Sequence, residues 1–218
     1  MLYLIGHTKG GVGKTTIATN LASLIAPLRR VCIVDADGQG HSNRWCGRRL
    51  ALAPEAPRID CHVLDGSLHK PLLALVGRYE DILVDAGGTD SQELRSALRT
   101  VDVCLAPFSA MQNDLDGFDD LRGLVDAASE YHPPLRVFAV PNKVETNAQR
   151  RDRLPAAVDF VRGKGFEVLT THLSMLAAPY GRSSEQGRGV GELYEARAAV
   201  ELMAVLGEVQ ARMRQVAA

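Results

Sequence analysis

Short apolar runs alternate with longer amphipathic stretches along the whole chain. The runs Leu2–Ile5, Val31–Val34, Ile82–Val84, Val101–Ala106, Leu135–Val140 and Phe166–Thr171 predict strands, with a weaker one over Arg58–Leu64. Most are continuous rather than alternating, as parallel strands covered on both faces require. Helices are predicted over Lys14–Ala26, Pro71–Arg78, Ser91–Leu98, Asp114–Tyr131, Ala148–Lys164 and Gly191–Arg214. Leu154, Ala157, Val158 and Val161 form an inward stripe in the fifth of these. Leu193, Ala196, Val200, Met203 and Leu206 do so in the sixth. The order predicts an α/β fold with a doubly wound, mostly parallel sheet, helices on both faces and ligand at the carboxyl ends of the strands. No linker, repeat or low-complexity segment interrupts it, so residues 1–218 read as a single domain.

Two stretches carry weaker patterns. Gly40 to Arg49 reads as a loop in which Trp45 packs and Arg44, Arg48 and Arg49 are solvated. Gly181–Gly191 reads as a glycine-rich loop.

The first strand runs into Lys9-Gly10-Gly11-Val12-Gly13-Lys14-Thr15-Thr16 and then a helix. A strand, a glycine-rich turn and a helix opening on Lys-Thr make a phosphate cradle, or P-loop. The glycines bring backbone N–H groups up to phosphate oxygens, and the new helix adds unpaired N–H groups and a positive dipole end. Lys14 reaches the β and γ phosphates of ATP, and the Thr15 hydroxyl ligates Mg²⁺. The common pattern asks for glycine where this chain has Thr8, and Lys9 is a second lysine at the front of the turn.

Two more strands end on acids. Val34-Asp35-Ala36-Asp37-Gly38-Gln39 puts two carboxylates at the mouth of the same crevice, although Asp and Gly also suit a plain turn. Asp81-Ile82-Leu83-Val84-Asp85-Ala86-Gly87-Gly88 is a Walker B pattern in which Asp85 holds Mg²⁺ through water, followed by a mobile glycine pair.

Composition narrows the class without adding chemistry. With 46% hydrophobic and 23% charged residues the 218-residue chain is globular, and a net charge of −1 gives no global attraction to nucleic acid. Cys32, Cys46, Cys61 and Cys104 form no CxxC pair. Cys32 and Cys104 lie in apolar runs and read as core residues. Neither a secretory signal nor a membrane-spanning run is visible, so a cytoplasmic protein is expected, without an added DNA-binding module ahead of the first strand.

The KGGVGKTT form resembles the deviant Walker A motif of the ParA/MinD family of P-loop ATPases, closest to small stand-alone ParA-type partition ATPases. The resemblance implies cofactors ATP and Mg²⁺, with Gly10, Gly11, Val12, Gly13, Lys14, Thr15 and Thr16 around the phosphates. It makes Lys9 the residue that reaches across an ATP-sandwich homodimer. It makes Asp37 the group that orients the attacking water, with Asp35 supporting the magnesium shell beside Thr15 and Asp85; Gly38 stands where proline is usual. Asn142 sits where the family places an adenine-recognising asparagine, unless it is a turn residue beside Pro141. The loop opening at Pro107-Phe108-Ser109-Ala110 belongs to a region that relatives use in the dimer interface. Non-specific DNA binding by family members draws attention to Arg150, Arg151, Arg153, Arg162, Lys164, Arg182 and Arg188, which also read as ordinary surface charges. The partners implied are a ParB-like or cargo-adaptor protein that stimulates slow hydrolysis, and nucleoid DNA. The alternatives are a MinD-like membrane-surface ATPase and a metabolic P-loop enzyme. The tail from Val209, with no aromatic residue and a mild apolar face, argues against the former.

Overall fold

Strands without a polar face need cover on both sides, and the chain provides it by alternating elements. A computed structural model describes residues 1–147 and 153–216. The strands are β1 (Leu2–Ile5), β2 (Val31–Ala36), β3 (Asp60–Val63), β4 (Asp81–Ala86), β5 (Val103–Phe108), β6 (Arg136–Pro141) and β7 (Glu167–Val168). They form one seven-stranded sheet in the order β3-β2-β4-β1-β5-β6-β7. Every pairing is parallel. The helices are α1 (Lys14–Ile25), α2 (His41–Leu52), α3 (His69–Leu75), α4 (Gln92–Leu98), α5 (Gln112–Ser129), α6 (Arg153–Gly163), α7 (Ala177–Gln186) and α8 (Ala196–Val216).

Side chains on β1 show how the two layers are filled. Leu2 and Leu4 join a core with Leu94, Leu98, Phe118, Val125 and Val161 from α4, α5 and α6. Tyr3 and Ile5 join the opposite core with Ile17, Leu21 and Ile25 of α1 and Leu202, Val205 and Val209 of α8. Cys32 and Cys104 are fully buried, as expected of core residues. The P-loop NTPase-like fold expected from the alternation is therefore present.

Three expectations are corrected. The stretch read as a loop after Gly40 is α2, and its buried residues are Ser42, Trp45 and Arg49. That spacing is helical, but two of the three residues are polar, so no apolar stripe announces it. Half of the expected 181–191 loop belongs to α7, which buries Ser183 alone; Pro179 fits because it lies in the first turn. The last helix starts at Ala196 rather than Gly191, after Tyr194 adopts a left-handed φ of 58°. It packs through Ala198, Ala199, Leu202, Val205 and Val209, while Val200 (58% exposed) and Met203 (50%) of the expected stripe face outward. Two apolar stripes ran along this segment, and contact with α1 selects the other one.

Glu208 fastens α8 to the segment after β7. Its carboxylate accepts the N–H groups of Thr170 and Thr171 (both 2.9 Å), the Thr171 hydroxyl (2.7 Å) and a bond from Arg212 (2.5 Å). Burial alone would raise this carboxyl, but the threonine donors hold it down at about 2, below its ordinary 4.5. A depressed acid contributes stability that is full above the unfolded value and lost as pH falls through the folded one. Glu208→Gln is therefore expected to cost about 1–2 kcal/mol in denaturant unfolding at neutral pH. The difference from the parent should stay constant down to about pH 4.5 and shrink below it.

Candidate ATP and magnesium site

The site lies where the central strands end. Asp35 on β2 and Asp85 on β4 are paired in register, and Ile5, the last residue of β1, pairs with Asp85 from the other side. Two buried acids thus stand side by side directly under the turn that follows β1. A crevice of about 1030 Å³ opens above them, lined by Gly10, Gly11, Gly13, Lys14, Thr15, Thr16, Asp35 and Asp37 among others.

Gly13 starts α1 with a φ of 99°, and no side chain caps the helix or adds an acid to its first turn. Its N–H groups are therefore left for an anion. A Cβ on Gly13 would come within 2.4 Å of the Asn142 amide nitrogen, so only glycine fits. Lys14 is buried and its ammonium donates to the Lys9 carbonyl at 2.8 Å. Burial lowers its proton affinity, opposed by the charges of Asp85, Asp37 and Asp114. An incoming phosphate offers that ammonium a stronger acceptor than a carbonyl.

The front of the turn rests on α5. The Thr8 hydroxyl donates to the Gly117 carbonyl (3.0 Å), and the Lys9 N–H donates to His7 Nδ1 (3.1 Å). The His7 ring meets Phe118 edge-on at 4.8 Å. Burial, aided by the charges of Lys14 and Lys9 and opposed by Asp114, holds the imidazole down at about 4, so it stays neutral and able to accept. Thr8 is therefore a tether rather than a lost glycine.

Asp85 is fully buried. Its Oδ2 accepts the Thr15 hydroxyl at 2.8 Å and the Ser42 hydroxyl at 2.6 Å. Its Oδ1 is buried without any hydrogen-bond partner. Burial pushes this carboxyl up to about 6 even though both hydroxyls favour its charge, and neighbouring Asp35 adds to the rise. A buried carboxylate with one unsatisfied oxygen beside a threonine hydroxyl fits Mg²⁺ with a water shell. Among the described residues no three His, Cys, Asp or Glu side chains form a metal cage, and an ion held largely by phosphate and water needs none.

Asp35 is committed differently. Its Oδ1 accepts the Asp37 N–H (3.1 Å) and its Oδ2 accepts the Asn43 N–H (2.6 Å), so both oxygens shape the segment leading into α2. Asp37 sits on that turn, half-buried, with Oδ1 accepting the Gln39 N–H at 2.9 Å. The 87–88 glycines close over it. A Cβ on Gly88 would lie 2.6 Å from Gly10 Cα, so this loop crosses the P-loop backbone in direct contact.

The structure places Asn142 beneath the loop rather than along the crevice. Its side-chain amide donates to the Val12 carbonyl at 2.7 Å and its own N–H to Phe108 at 2.6 Å. Four of the basic residues have acidic partners. Arg162 pairs with Asp159, Lys164 with Asp119, Arg182 with Glu195 and Arg188 with Glu55. Arg153 lines a second cleft of about 690 Å³ with Met111 and Met175 on the other side of Gly10 and Gly11. Arg150 and Arg151 lie outside the described residues.

Sequence reasoning missed three participants. Ser42 was hidden in a stretch read as loop. Lys143, with a left-handed φ of 53°, donates to the Gly11 carbonyl at 2.5 Å and had no pattern to mark it. Arg49, expected to be solvated, is only 4% exposed; it holds Glu192 through two bonds (2.7 and 2.8 Å) and the carbonyls of Pro57 and Gly187. Trp45 packs as expected and donates to the Ser183 carbonyl at 3.0 Å. Together these two clamp α2 onto α7 and the following loop.

The profile of the CobQ/CobB/MinD/ParA nucleotide binding domain matches residues 3–173. The chain belongs to this family. It is 38% identical over 114 residues to the maintenance of carboxysome distribution protein A of Gloeobacter kilaueensis, a match covering 49% of this chain and 48% of that protein. The match thus spans about half the length of that relative. The protein of the same name from Halothiobacillus neapolitanus is 27% identical over 214 residues, 94% of each chain. The chromosome-partitioning ATPase Soj of Thermus thermophilus is 44% identical over 73 residues, 33% of this chain and 26% of that one. Among solved structures, the Cyanothece McdA–ATP complex superposes with a TM-score of 0.78 at 14% identity over 96% of both chains. MinD of Aquifex aeolicus gives 0.70 at 17% identity over 95% of this chain and 97% of that one. This is a nucleotide-binding domain of the CobQ/CobB/MinD/ParA family.

Asp85 therefore carries a conflict between stability and ligand. Neutralising it removes a desolvated charge but also the metal's acid. Ligand-free Asp85→Asn is expected to unfold at higher denaturant at about pH 7.5, gaining on the order of 2 kcal/mol. In the same variant Mg²⁺ should no longer tighten ATP binding, as titration with a fluorescent ATP analogue would report.

Proposed function

We propose that this chain is a ParA-type switch. ATP·Mg²⁺ binding closes a homodimer, the dimer binds DNA without sequence preference, and a partner protein stimulates slow hydrolysis that releases it. The cycle positions a cargo, which can be a plasmid, a chromosome or a protein complex. The observation that carries this reading is Lys9 at the front of the candidate phosphate and magnesium site, on a turn tethered to α5 through His7 and Thr8. The named relatives support it, two serving carboxysome distribution and one chromosome partitioning.

Each residue has a task in that cycle. Lys14 exchanges the Lys9 carbonyl for phosphate oxygens. Thr15 and Asp85 hold Mg²⁺, which supplies charge neutralisation between the phosphates. Asp37, on a turn kept in shape by Asp35, orients the attacking water. Such positioning is most of what phosphoryl transfer asks of a protein. Lys9 reaches the phosphates of the partner subunit, and Asn142, beneath the P-loop, supports the Val12 carbonyl rather than the adenine edge. The adaptor is a ParB-like protein, and the ATP-bound dimer associates with the nucleoid.

The DNA surface is sought among Arg150, Arg151, Arg153, Arg162, Lys164, Arg182 and Arg188. Arg162, Lys164, Arg182 and Arg188 already have acidic partners, which lowers what each adds to phosphate binding. Membrane association finds less support. The described part of α8 spends Leu202, Val205 and Val209 on the core, and among the described residues no helix is long and apolar enough to cross a membrane.

Lys9→Ala is expected to bind ATP but to remain monomeric with ATP·Mg²⁺ in light scattering, and to lose retention of random duplex DNA. Asp37→Ala should keep the ATP-dependent dimer and lose phosphate release by a factor of about a hundred or more. An unmodified protein that neither dimerises nor binds DNA with ATP would remove the partition reading.

A further inference from the structure

The first turn of α2 is built against both strand-end acids. Gly40 precedes the helix with a left-handed φ of 62°, and no side chain of its own caps the helix. The capping work is done from the sheet, where Asp35 Oδ2 accepts the Asn43 N–H at 2.6 Å. One residue earlier the Ser42 hydroxyl donates to Asp85 Oδ2 at 2.6 Å. Ser42 and Asp85 are both fully buried, and 43 positions of sequence separate them. A serine near a helix start usually bonds its own backbone; here its partner among the described residues is the Asp85 carboxylate on another element.

We propose that Ser42 is a positioning residue of the ATP·Mg²⁺ site, acting through Asp85. The inference rests on the ATPase reading above and deepens it. A carboxylate between two strands can swing about its χ2 angle. With Thr15 and Ser42 both on Oδ2, the group is fixed so that Oδ1 stays the oxygen without a protein donor. That is the oxygen left to accept from a magnesium-bound water. Groups that hydrogen-bond a metal's acids orient them and are worth about 10–100-fold in metal affinity.

The same bond sets the geometry of the water-positioning side. Asp37 lies five residues before Ser42, and the turn between them is closed by the Gly40 N–H donating to the Asp37 carbonyl at 2.7 Å. The far end of α2 is immobilised by Trp45 and Arg49. With its far end fixed, α2 places Asp37 relative to Asp85 through the Ser42 hydroxyl at its near end. Ser42 thereby links the residue that orients the water to the residue that holds the metal.

The test is a double-mutant cycle on the full chain with Ser42→Ala, Asp85→Asn and the double variant, after checking that ligand-free melting is cooperative in each. Affinity for a fluorescent ATP analogue is measured in EDTA and along a Mg²⁺ titration. Ser42→Ala should match the parent in EDTA, while half-saturating Mg²⁺ rises about tenfold or more. At saturating Mg²⁺ its kcat should fall with KM for ATP unchanged, because the displaced group is Asp37 rather than a nucleotide contact. In the Asp85→Asn background, where Mg²⁺ no longer tightens binding, Ser42→Ala should lower the affinity measured at saturating Mg²⁺ no further. The proposal is overturned if Ser42→Ala leaves half-saturating Mg²⁺ within about twofold of the parent, if affinity in EDTA falls as much as in Mg²⁺, or if the two substitutions are additive. A parent protein whose nucleotide binding ignores Mg²⁺ overturns the ATPase reading itself, which separates the two failures.

Discussion

The structure turns on the cost of a carboxylate buried at the end of a central strand. Asp85 has no exposed surface, and Asp35 stands beside it in register on the next strand. Two such charges are tolerated only if something donates to them. Asp35 is satisfied by backbone N–H groups of its own turn and of α2, and Asp85 by hydroxyls from α1 and α2. One oxygen of Asp85 is left without a hydrogen-bond partner, and burial pushes the carboxyl up to about 6. The ligand-free protein thus stores, at a single atom, a demand that a hydrated cation meets.

Most of the surrounding architecture follows from meeting these demands. The P-loop helix reaches Asp85 through Thr15, and the helix after β2 reaches it through Ser42. Each link needs its helix fixed elsewhere. For α1 this is the core of Ile17, Leu21 and Ile25. For α2, which has little apolar surface, it is the Trp45 and Arg49 clamp on α7 and the 187–192 segment. An arginine buried with a carboxylate and two carbonyls does there what leucines do in the other helices, at the cost of depending on every partner.

The parts legible in the sequence are those where chemistry and pattern coincide. The apolar runs marked where the strands lie along the chain, and the glycines with Lys14 and Thr15 marked the cradle. The strand-end acids Asp35, Asp37 and Asp85 were visible as exceptions inside apolar context. What stayed hidden is polar structure. α2 buries Ser42, Trp45 and Arg49, so hydrophobic periodicity is blind to it; α7 buries one serine. Lys143 reaches the P-loop from the turn just after β6, and no spacing rule connects positions 132 residues apart. The last helix shows the converse failure, since two apolar stripes fit the periodicity and only packing against α1 chooses between them.

In the proposed switch, the γ-phosphate and magnesium organise the first turn of α2 and the 87–91 loop through the strand-end acids. Amide hydrogen exchange on the full chain, with a non-hydrolysable ATP analogue and Mg²⁺ against ADP and Mg²⁺, tests it most directly. Slower exchange is expected across residues 37–45 and 87–91 in the triphosphate state, with core strands unchanged. Equal exchange in those two segments in both states would contradict it.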